Sequence, residues 1–156
     1  MSFKLSKRSL NKLTGVHPDM VATVKRAIEL TKVDFGITCG LRTVEEQKRL
    51  VATGRSQTMN SKHIPQGDEY SHAIDVLAYV DGEVCWELNV YDEICDAMAA
   101  AAKETGASIK WGAAWSEGDI RAYQSTAEHA MNSYIDLRRS QGRRPFIDGP
   151  HFELMV

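Results

Sequence analysis

The sequence has few cysteines, no long hydrophobic run and no excess of charge of one sign, and each absence excludes a class of protein. The three cysteines, Cys39, Cys85 and Cys95, form no CxxC pair, so we interpret them as reduced thiols rather than a disulfide framework or a cysteine zinc knuckle. No stretch approaches the roughly 20 apolar residues that span a bilayer, which predicts no membrane insertion. The basic N-terminal segment lacks an apolar core, which predicts synthesis in the cytoplasm without an export signal.

The balance of charge excludes a strong overall attraction to polyanions. Lysine and arginine number 19 against 21 aspartates and glutamates, and the net charge is -2. We therefore expect no nucleic-acid partner. The richest basic cluster, Arg138, Arg139, Arg143 and Arg144, is interpreted as the solvated end of a helix. Contact with the acidic polymer of a cell wall is the less favoured alternative.

Hydrophobic periodicity and turn signals predict a mixture of helices and strands. We expect helices over 18–32, from the capping box of Thr43 and Glu46 to Gly54, over 90–105 and over 120–139. We expect strands over 34–40, 73–80, 83–86 (after an Asp81-Gly82 turn), 108–111 and 151–156, and a long polar loop between 54 and 72. No regular βαβ repeat is present, which predicts an α+β fold with a small, mainly antiparallel sheet packed with helices, in one domain of residues 1–156.

Three side chains of the kind that bind metals lie next to predicted strands: His63, Asp75 and His151. Two imidazoles and a carboxylate, with a fourth position left for water, are a known arrangement for catalytic zinc. Taken one at a time, a loop histidine is more often a surface residue, and an aspartate in a strand often serves a turn or a hydrogen bond. The zinc-binding helix motif HExxH is absent. Spacing alone therefore leaves both interpretations open.

Several short segments fall in an order typical of one family: GLRT at 40–43, SKH at 61–63, HAID at 72–75, WGAAW at 111–115 and DGPHFEL at 148–154. The chain resembles the D-alanyl-D-alanine carboxypeptidase and L-alanyl-D-glutamate peptidase family of bacterial and phage zinc enzymes. The pattern of that family is SxHxxGxAxD followed later by an acid, two residues and a histidine. In particular, the chain is similar to phage endolysins of the L-alanyl-D-glutamate subgroup. The resemblance implies a fold like that of the D,D-peptidases and Hedgehog proteins.

The resemblance also implies a role for each residue that matches the pattern. His63, Asp75 and His151 become the ligands of a zinc ion, and Asp148 becomes the catalytic base. Arg42 matches the arginine that steadies the substrate or the developing oxyanion. Aspartate rather than glutamate at position 148 is more similar to the L-alanyl-D-glutamate cleavers than to the D,D-dipeptidases.

The chain departs from the pattern at two places. The segment PQGDEYS between His63 and Asp75 displaces the usual glycine, which makes His72 a rival ligand. In a strand, an odd separation turns the side chains of His72 and Asp75 to opposite faces, so we prefer His63. The second departure is Ala114, where relatives often carry an aspartate that could order a neighbouring loop.

Other polar and aromatic residues around the motifs receive structural interpretations first. Trp111 is expected in the core, whereas Trp115 could equally wall a groove or close the core. Ser56, Gln57 and Ser61 are candidate hydrogen-bond donors to the substrate or to a ligand, although such loop residues are usually solvated.

The function that the resemblance implies is zinc-dependent hydrolysis of the L-alanyl-D-glutamate bond in peptidoglycan stem peptides, by a phage endolysin that causes host lysis. The alternatives are a D,D-carboxypeptidase or dipeptidase acting at the end of the stem, and a non-catalytic, zinc-stabilised module that binds the cell wall. We expect a monomer that accumulates in the host cytoplasm and reaches the wall after another protein opens the membrane.

Overall fold

The computed structural model describes residues 2–155, and helices supply the larger part of its regular structure. The α-helices are α1 (Lys7–Lys12), α2 (Pro18–Leu30), α3 (Val44–Ala52), α4 (Leu88–Thr105) and α5 (Ala127–Ser140). Two short 3₁₀ helices cover Trp115–Glu117 and Ile120–Ala122. No helix among these residues is long and apolar enough to cross a bilayer.

Five antiparallel strands form the sheet: β1 (Asp34–Cys39), β2 (Ala73–Val80), β3 (Glu83–Cys85), β4 (Ile109–Trp111) and β5 (His151–Leu154). The order is β1-β2-β5-β4, and β3 pairs with the end of β2 beyond β5. Strand β2 is therefore central, with β1 along one edge and β5 and β3 sharing the other. Its burial alternates from Ile74 to Tyr79, so one face meets the core and the other, with Asp75, does not.

The core lies between the sheet and the pair α2 and α4, which pack against each other. Met20 and Val24 of α2 and Ile94 and Met98 of α4 are fully buried there. Pro18 begins α2, where a missing N–H costs nothing, and Gly106 ends α4 in the left-handed conformation. These elements form a rigid support beneath the opposite face of the sheet.

The α+β prediction is confirmed, and most predicted elements lie within two residues of their observed bounds. The helix predicted over 120–139 is wrong in its first part, because Asp119 caps the 3₁₀ helix at 120–122 and Thr126 separately caps α5. Helix α1 was not predicted at all. The last strand ends at Leu154, and Val156 of its predicted range lies outside the described residues.

Asp92 on α4 is a buried carboxyl group. Its side chain is 5% exposed, and it belongs to a run of acids that includes Glu93 and Asp96. Burial first, and then the negative charges of Glu128, Glu93 and Asp96, raise the pKa of Asp92 from 3.8 to about 6. Because this pKa is higher in the folded chain than in the unfolded one, folding is favoured below pH 3.8 and that advantage is lost as pH rises through about 6.

Replacing Asp92 with asparagine is expected to stabilise the protein at pH 7 by about 1–2 kcal/mol, after allowance for solvent screening. The melting temperature should rise by roughly 3–6 °C for a chain of this size. Thermal unfolding of both proteins between pH 5 and pH 7.5 measures the effect, and the difference should shrink towards pH 5. Asp136→Asn removes the same charge from an exposed position of α5 and should have little effect. An equal difference at every pH would contradict the titration of Asp92.

Candidate metal centre and catalytic cavity

The register of the sheet brings three chemically active side chains side by side. Asp75 in β2 pairs directly with Cys39 of β1 on one side and with His151 of β5 on the other. Residues directly opposite in antiparallel strands point to the same face. A shift of register between Ile37 and Cys39 marks a bulge at this end of β1. Cys39, Asp75 and His151 therefore share the face of the sheet that the core leaves uncovered.

His63 reaches the same place from the long loop between α3 and β2. Its Nε2 atom lies 3.2 Å from Oδ2 of Asp75, and its side chain is buried. The other ring nitrogen, Nδ1, lies 2.8 Å from the carbonyl oxygen of Gly40. The backbone N–H of His63 donates to Oγ of Ser61 at 3.1 Å. The ring is thus fixed from behind, and Nε2 is the nitrogen that faces Asp75.

His151 has the complementary arrangement. Its Nδ1 atom lies 3.1 Å from Oδ1 of Asp75, and its Nε2 atom lies 2.9 Å from Oε1 of Glu153. The rings of His63 and His151 are 5.3 Å apart between centroids. Each oxygen of Asp75 thus faces one imidazole nitrogen, and the second nitrogen of each ring has its own fixed acceptor.

These contacts shift the pKa values of all three groups. Burial alone would raise the pKa of Asp75, but hydrogen bonds from His151 and His63 and their positive charge hold it well below its usual range. Burial would likewise lower the pKa of each histidine. The contact with Asp75, aided by Cys39, instead raises that of His63 to about 10, and Asp75 and Glu153 raise that of His151 to about 9. Asp75 therefore favours positive charge at the two nitrogens that face it.

Asp148 lies in the turn that leads into β5. A carboxylate oxygen of Asp148, one of Asp75 and a ring nitrogen of His151 all lie within 4.8 Å of one another. The Asp148 N–H donates to the carbonyl oxygen of Gly112 at 2.9 Å, and the Gly112 N–H donates to that of His151 at 2.8 Å. A Cβ on Gly112 would collide with the carbonyl oxygen of Asp148, which is why the WGAAW segment needs a glycine there. Burial raises the pKa of Asp148, more than the nearby histidines lower it.

Arg42 is held over the site by a buried glutamine. Its Nη1 atom donates to Oε1 of Gln47 at 2.8 Å, and its Nη2 atom lies 3.3 Å from Sγ of Cys39. Gln47 is fully buried, and its Nε2 donates to Oγ of Ser56 at 2.9 Å and to the carbonyl oxygen of Thr58 at 2.6 Å. Gln47, which sequence reasoning missed, therefore ties Arg42 to the loop after α3.

A cavity of about 710 Å³ joins all of these groups. The five residues proposed for zinc binding and catalysis all line it, as do the three polar loop residues singled out from the sequence: Ser56, Gln57 and Ser61. Its remaining wall includes the cations Arg55 and Lys62 and the aromatic rings of Trp115 and Phe146. Charged, polar and aromatic side chains thus share the lining of the cavity.

His72, the rival ligand, lies elsewhere. Its Nε2 atom is 2.7 Å from Oδ2 of Asp68, and its ring lies 5.4 Å from that of His17. Cys39, by contrast, was predicted only to be a reduced thiol, and the structure places its Sγ atom 3.5 Å from Nδ1 of His63. Burial raises the pKa of this thiol, but the hydrogen bond and charge of His63, with Arg42, lower it overall.

Two overlapping sets of side chains among the described residues could hold a metal ion. One set consists of Cys39, His63 and Asp75, and the other consists of Asp75, Asp148 and His151. Asp75 is common to both. Cys39 contacts the nitrogen of His63 that faces Gly40, whereas Asp75 contacts the opposite nitrogen.

The WGAAW segment places its two tryptophans in different surroundings. Trp111 is fully buried and donates from Nε1 to the carbonyl oxygen of Gly149 at 2.8 Å, as expected for a core residue. Trp115 lines the cavity instead, with its ring 5.6 Å from that of His151. Ala114 is buried, and the loop that follows is ordered by Asp119, which accepts hydrogen bonds from Ser108 and Arg121.

The chain is similar to known proteins over nearly its whole length. Residues 1–155 match the family model described as phage L-alanyl-D-glutamate peptidase. The chain is 33% identical over 159 residues to the L-alanyl-D-glutamate peptidase of Escherichia phage T5, covering 99% of this chain and 100% of the relative. The crystal structure of the L-Ala D-Glu endopeptidase ChiX of Serratia marcescens superposes with a TM-score of 0.70 and 31% identity, covering 99% of this chain and 91% of that one. Because the family model and a relative that is 33% identical both match nearly the whole chain, this protein belongs to the phage L-alanyl-D-glutamate peptidase family.

Proposed function

We propose that this L-alanyl-D-glutamate peptidase, a peptidoglycan endopeptidase, depends on zinc held by His63, Asp75 and His151. Asp148 is the proposed general base, and Arg42 is the proposed electrophilic side chain. The observation that carries the proposal is the orientation of the two imidazoles, each of which turns one nitrogen to Asp75 and the other to a fixed acceptor.

This donor set fits zinc in number, type and orientation. Two histidine nitrogens and a carboxylate leave a fourth position open, as catalytic zinc sites do. Histidine ligands of metals usually donate their second N–H to a carbonyl or carboxylate, which fixes the ring and its tautomer. Gly40 and Glu153 supply those acceptors here. Cys39 contacts His63 at the nitrogen that faces Gly40. Its proposed role is therefore to orient that ring rather than to bind the ion.

Asp148 is suited to move the proton of the reaction. Zinc, when bound, polarises the scissile carbonyl and makes water more acidic, so that a nucleophile is available at neutral pH. Asp148 accepts the proton of the attacking water and delivers it to the nitrogen of D-glutamate as the peptide bond breaks. Its pKa is raised by burial, which brings the carboxylate closer to the operating pH and makes the transfer more efficient.

Arg42 supplies a permanent positive charge beside the reacting carbonyl. Its guanidinium is fixed by Gln47, so little freedom is lost when it binds an anion. It can stabilise the tetrahedral oxyanion, or hold the carboxylate of the D-glutamyl residue. The second role would favour an acidic stem peptide over a neutral one.

In its biological setting, the chain acts as a monomer in lysis of the host, and residues 1–156 form one catalytic domain. It accumulates in the host cytoplasm and meets the wall once another protein has opened the membrane. Peptidoglycan stem peptides are the only partner this requires.

Digestion of purified peptidoglycan tests zinc dependence and the bond together. We expect new amino groups to be released, a zinc chelator to stop the release, and added zinc to restore it. Mass spectrometry of the products should show stem peptides that begin with D-glutamate. Free D-alanine would instead indicate a D,D-carboxypeptidase, and absence of any release with zinc bound would favour a non-catalytic binding module.

A further inference from the structure

A second groove lies beside the catalytic cavity, along α5. It has a volume of about 400 Å³, and its walls include Trp115, Tyr134, Leu137, Arg138, Gln141 and Phe146. Trp115 and Phe146 also line the catalytic cavity. The two depressions therefore share an aromatic wall.

The shared wall is an exposed aromatic surface held in place by the backbone. The rings of Trp115 and Phe146 stack with centroids 6.3 Å apart and planes 23° from parallel. Phe146 is 62% exposed. Its backbone N–H donates to the hydroxyl of Tyr134 at 3.2 Å, and that hydroxyl donates to its carbonyl oxygen at 3.1 Å. These hydrogen bonds fix the backbone of Phe146 to α5. The exposed face of its ring can accept the C–H face of a sugar ring.

The opposite end of the catalytic cavity suits the peptide rather than the sugar. Arg42 lies on the His63 side of the cavity, where its backbone N–H donates to the carbonyl oxygen of His63 at 2.9 Å. The same lining includes Arg55 and Lys62, neither of which forms an ion pair among the described residues. The stem beyond the scissile bond carries several carboxylates, which these cations complement.

On the N-terminal side of the scissile bond, the peptide part of the substrate is short. L-alanine is the only residue between the scissile carbonyl and the lactyl group of N-acetylmuramic acid. One residue spans at most about 3.6 Å, so the sugar must lie close to the metal-binding side chains. The ring of Trp115 lies 5.6 Å from that of His151, which is close enough for Trp115 to contact this sugar.

We infer that the groove formed by Trp115, Phe146 and α5 holds the N-acetylmuramic acid sugar to which the stem peptide is attached. This inference rests on the proposed function, because it assumes that the bond after L-alanine is the one that is cut. The enzyme thereby recognises stem peptides that are still joined to glycan. Free peptides of the same sequence are poorer substrates.

Two substrates separate the contribution of the sugar from that of the peptide. One is the disaccharide tetrapeptide with its sugar ring left unreduced, and the other is the same tetrapeptide with an N-acetyl group in place of the sugar. We expect Phe146→Ala to lower kcat/KM for the first about tenfold, and to change kcat/KM for the second by less than about twofold. Phe146→Tyr keeps the aromatic face and should keep the preference for the sugar-bearing substrate.

Trp86→Ala is the matched control. It removes a ring that is 66% exposed and stacks on Tyr91, outside both depressions, and should leave both rates unchanged. Equal cleavage of the two substrates by the wild type, or an equal loss on both in Phe146→Ala, would overturn the sugar site while leaving the proposed function intact. Failure of the wild type to cleave either substrate with zinc bound would overturn both.

Discussion

Replacing Asp148 with asparagine is expected to slow hydrolysis about 10²–10⁴-fold, the usual contribution of a general acid and base. Asparagine has nearly the same shape as aspartate but cannot accept the proton of water at neutral pH. The backbone bonds of residue 148 to Gly112 and His151 do not involve its side chain, so the turn should keep its conformation. The three proposed ligands are untouched, and zinc should stay bound.

Both the rate and the zinc content must be measured on the same preparation of Asp148→Asn. Release of amino groups from peptidoglycan gives the rate, and elemental analysis gives the metal. Asp148→Glu, which restores a carboxylate one methylene further from the backbone, is expected to recover part of the activity. Since Asp148 also belongs to a set of potential ligands, loss of zinc in the asparagine variant would make it a ligand rather than a base. Full activity would exclude both roles.

Local chemistry explains why much of the fold could be predicted. The capping box of Thr43 and Glu46 forms with both of its hydrogen bonds, because its partners are three residues apart. The turn at Asp81 and Gly82 has positive φ at both residues, as a two-residue hairpin turn requires. Gly106 ends α4 for the same kind of local reason. Such features depend on neighbouring residues and need no knowledge of the tertiary structure.

The errors arise where distant contacts or competing caps decide the structure. Helix α1 has only six residues, too few for a periodic signal, and its buried Ser9 is fixed by a hydrogen bond from the N–H of Ile37 in β1. The segment from 120 to 126 has helix-forming residues, but Asp119 and Thr126 each offer a cap. Two caps in sequence divide what a single periodic pattern treats as one helix.

The residues of the site could be identified from the sequence, but their spatial arrangement could not. Asp75 and His151 are 76 residues apart, and only the strand register brings them together. Glu153 was missed although a signal existed, because residues two apart in a strand point to the same side as His151. Gln47 and Cys39 had no such signal. A glutamine in a helix is usually solvated, and nothing in the sequence places β1 beside His63.

Substitution of His63 is expected to have the second large effect, because His63 is proposed as a zinc ligand in preference to His72. His63→Ala should lose zinc and lower activity on the order of 10³-fold, because it removes several kcal/mol of metal-derived stabilisation of the transition state. His72→Gln is the matched control. It changes a histidine that is equally buried but hydrogen-bonded to Asp68, so zinc should remain and activity should change little.

Cys39→Ser tests the other alternative ligand. Cys39 could bind the ion together with His63 and Asp75, whereas His72 could replace His63. If Cys39 only orients His63 through Nδ1, serine should weaken zinc binding by no more than about 10–100-fold, as outer-shell changes do. Loss of zinc in Cys39→Ser with retention in His151→Ala would move the ion to the group of Cys39, His63 and Asp75. Loss in His72→Gln with retention in His63→Ala would reverse the preference for His63. Zinc content of all four variants therefore decides which side chains hold the metal, because each competing set loses a different member.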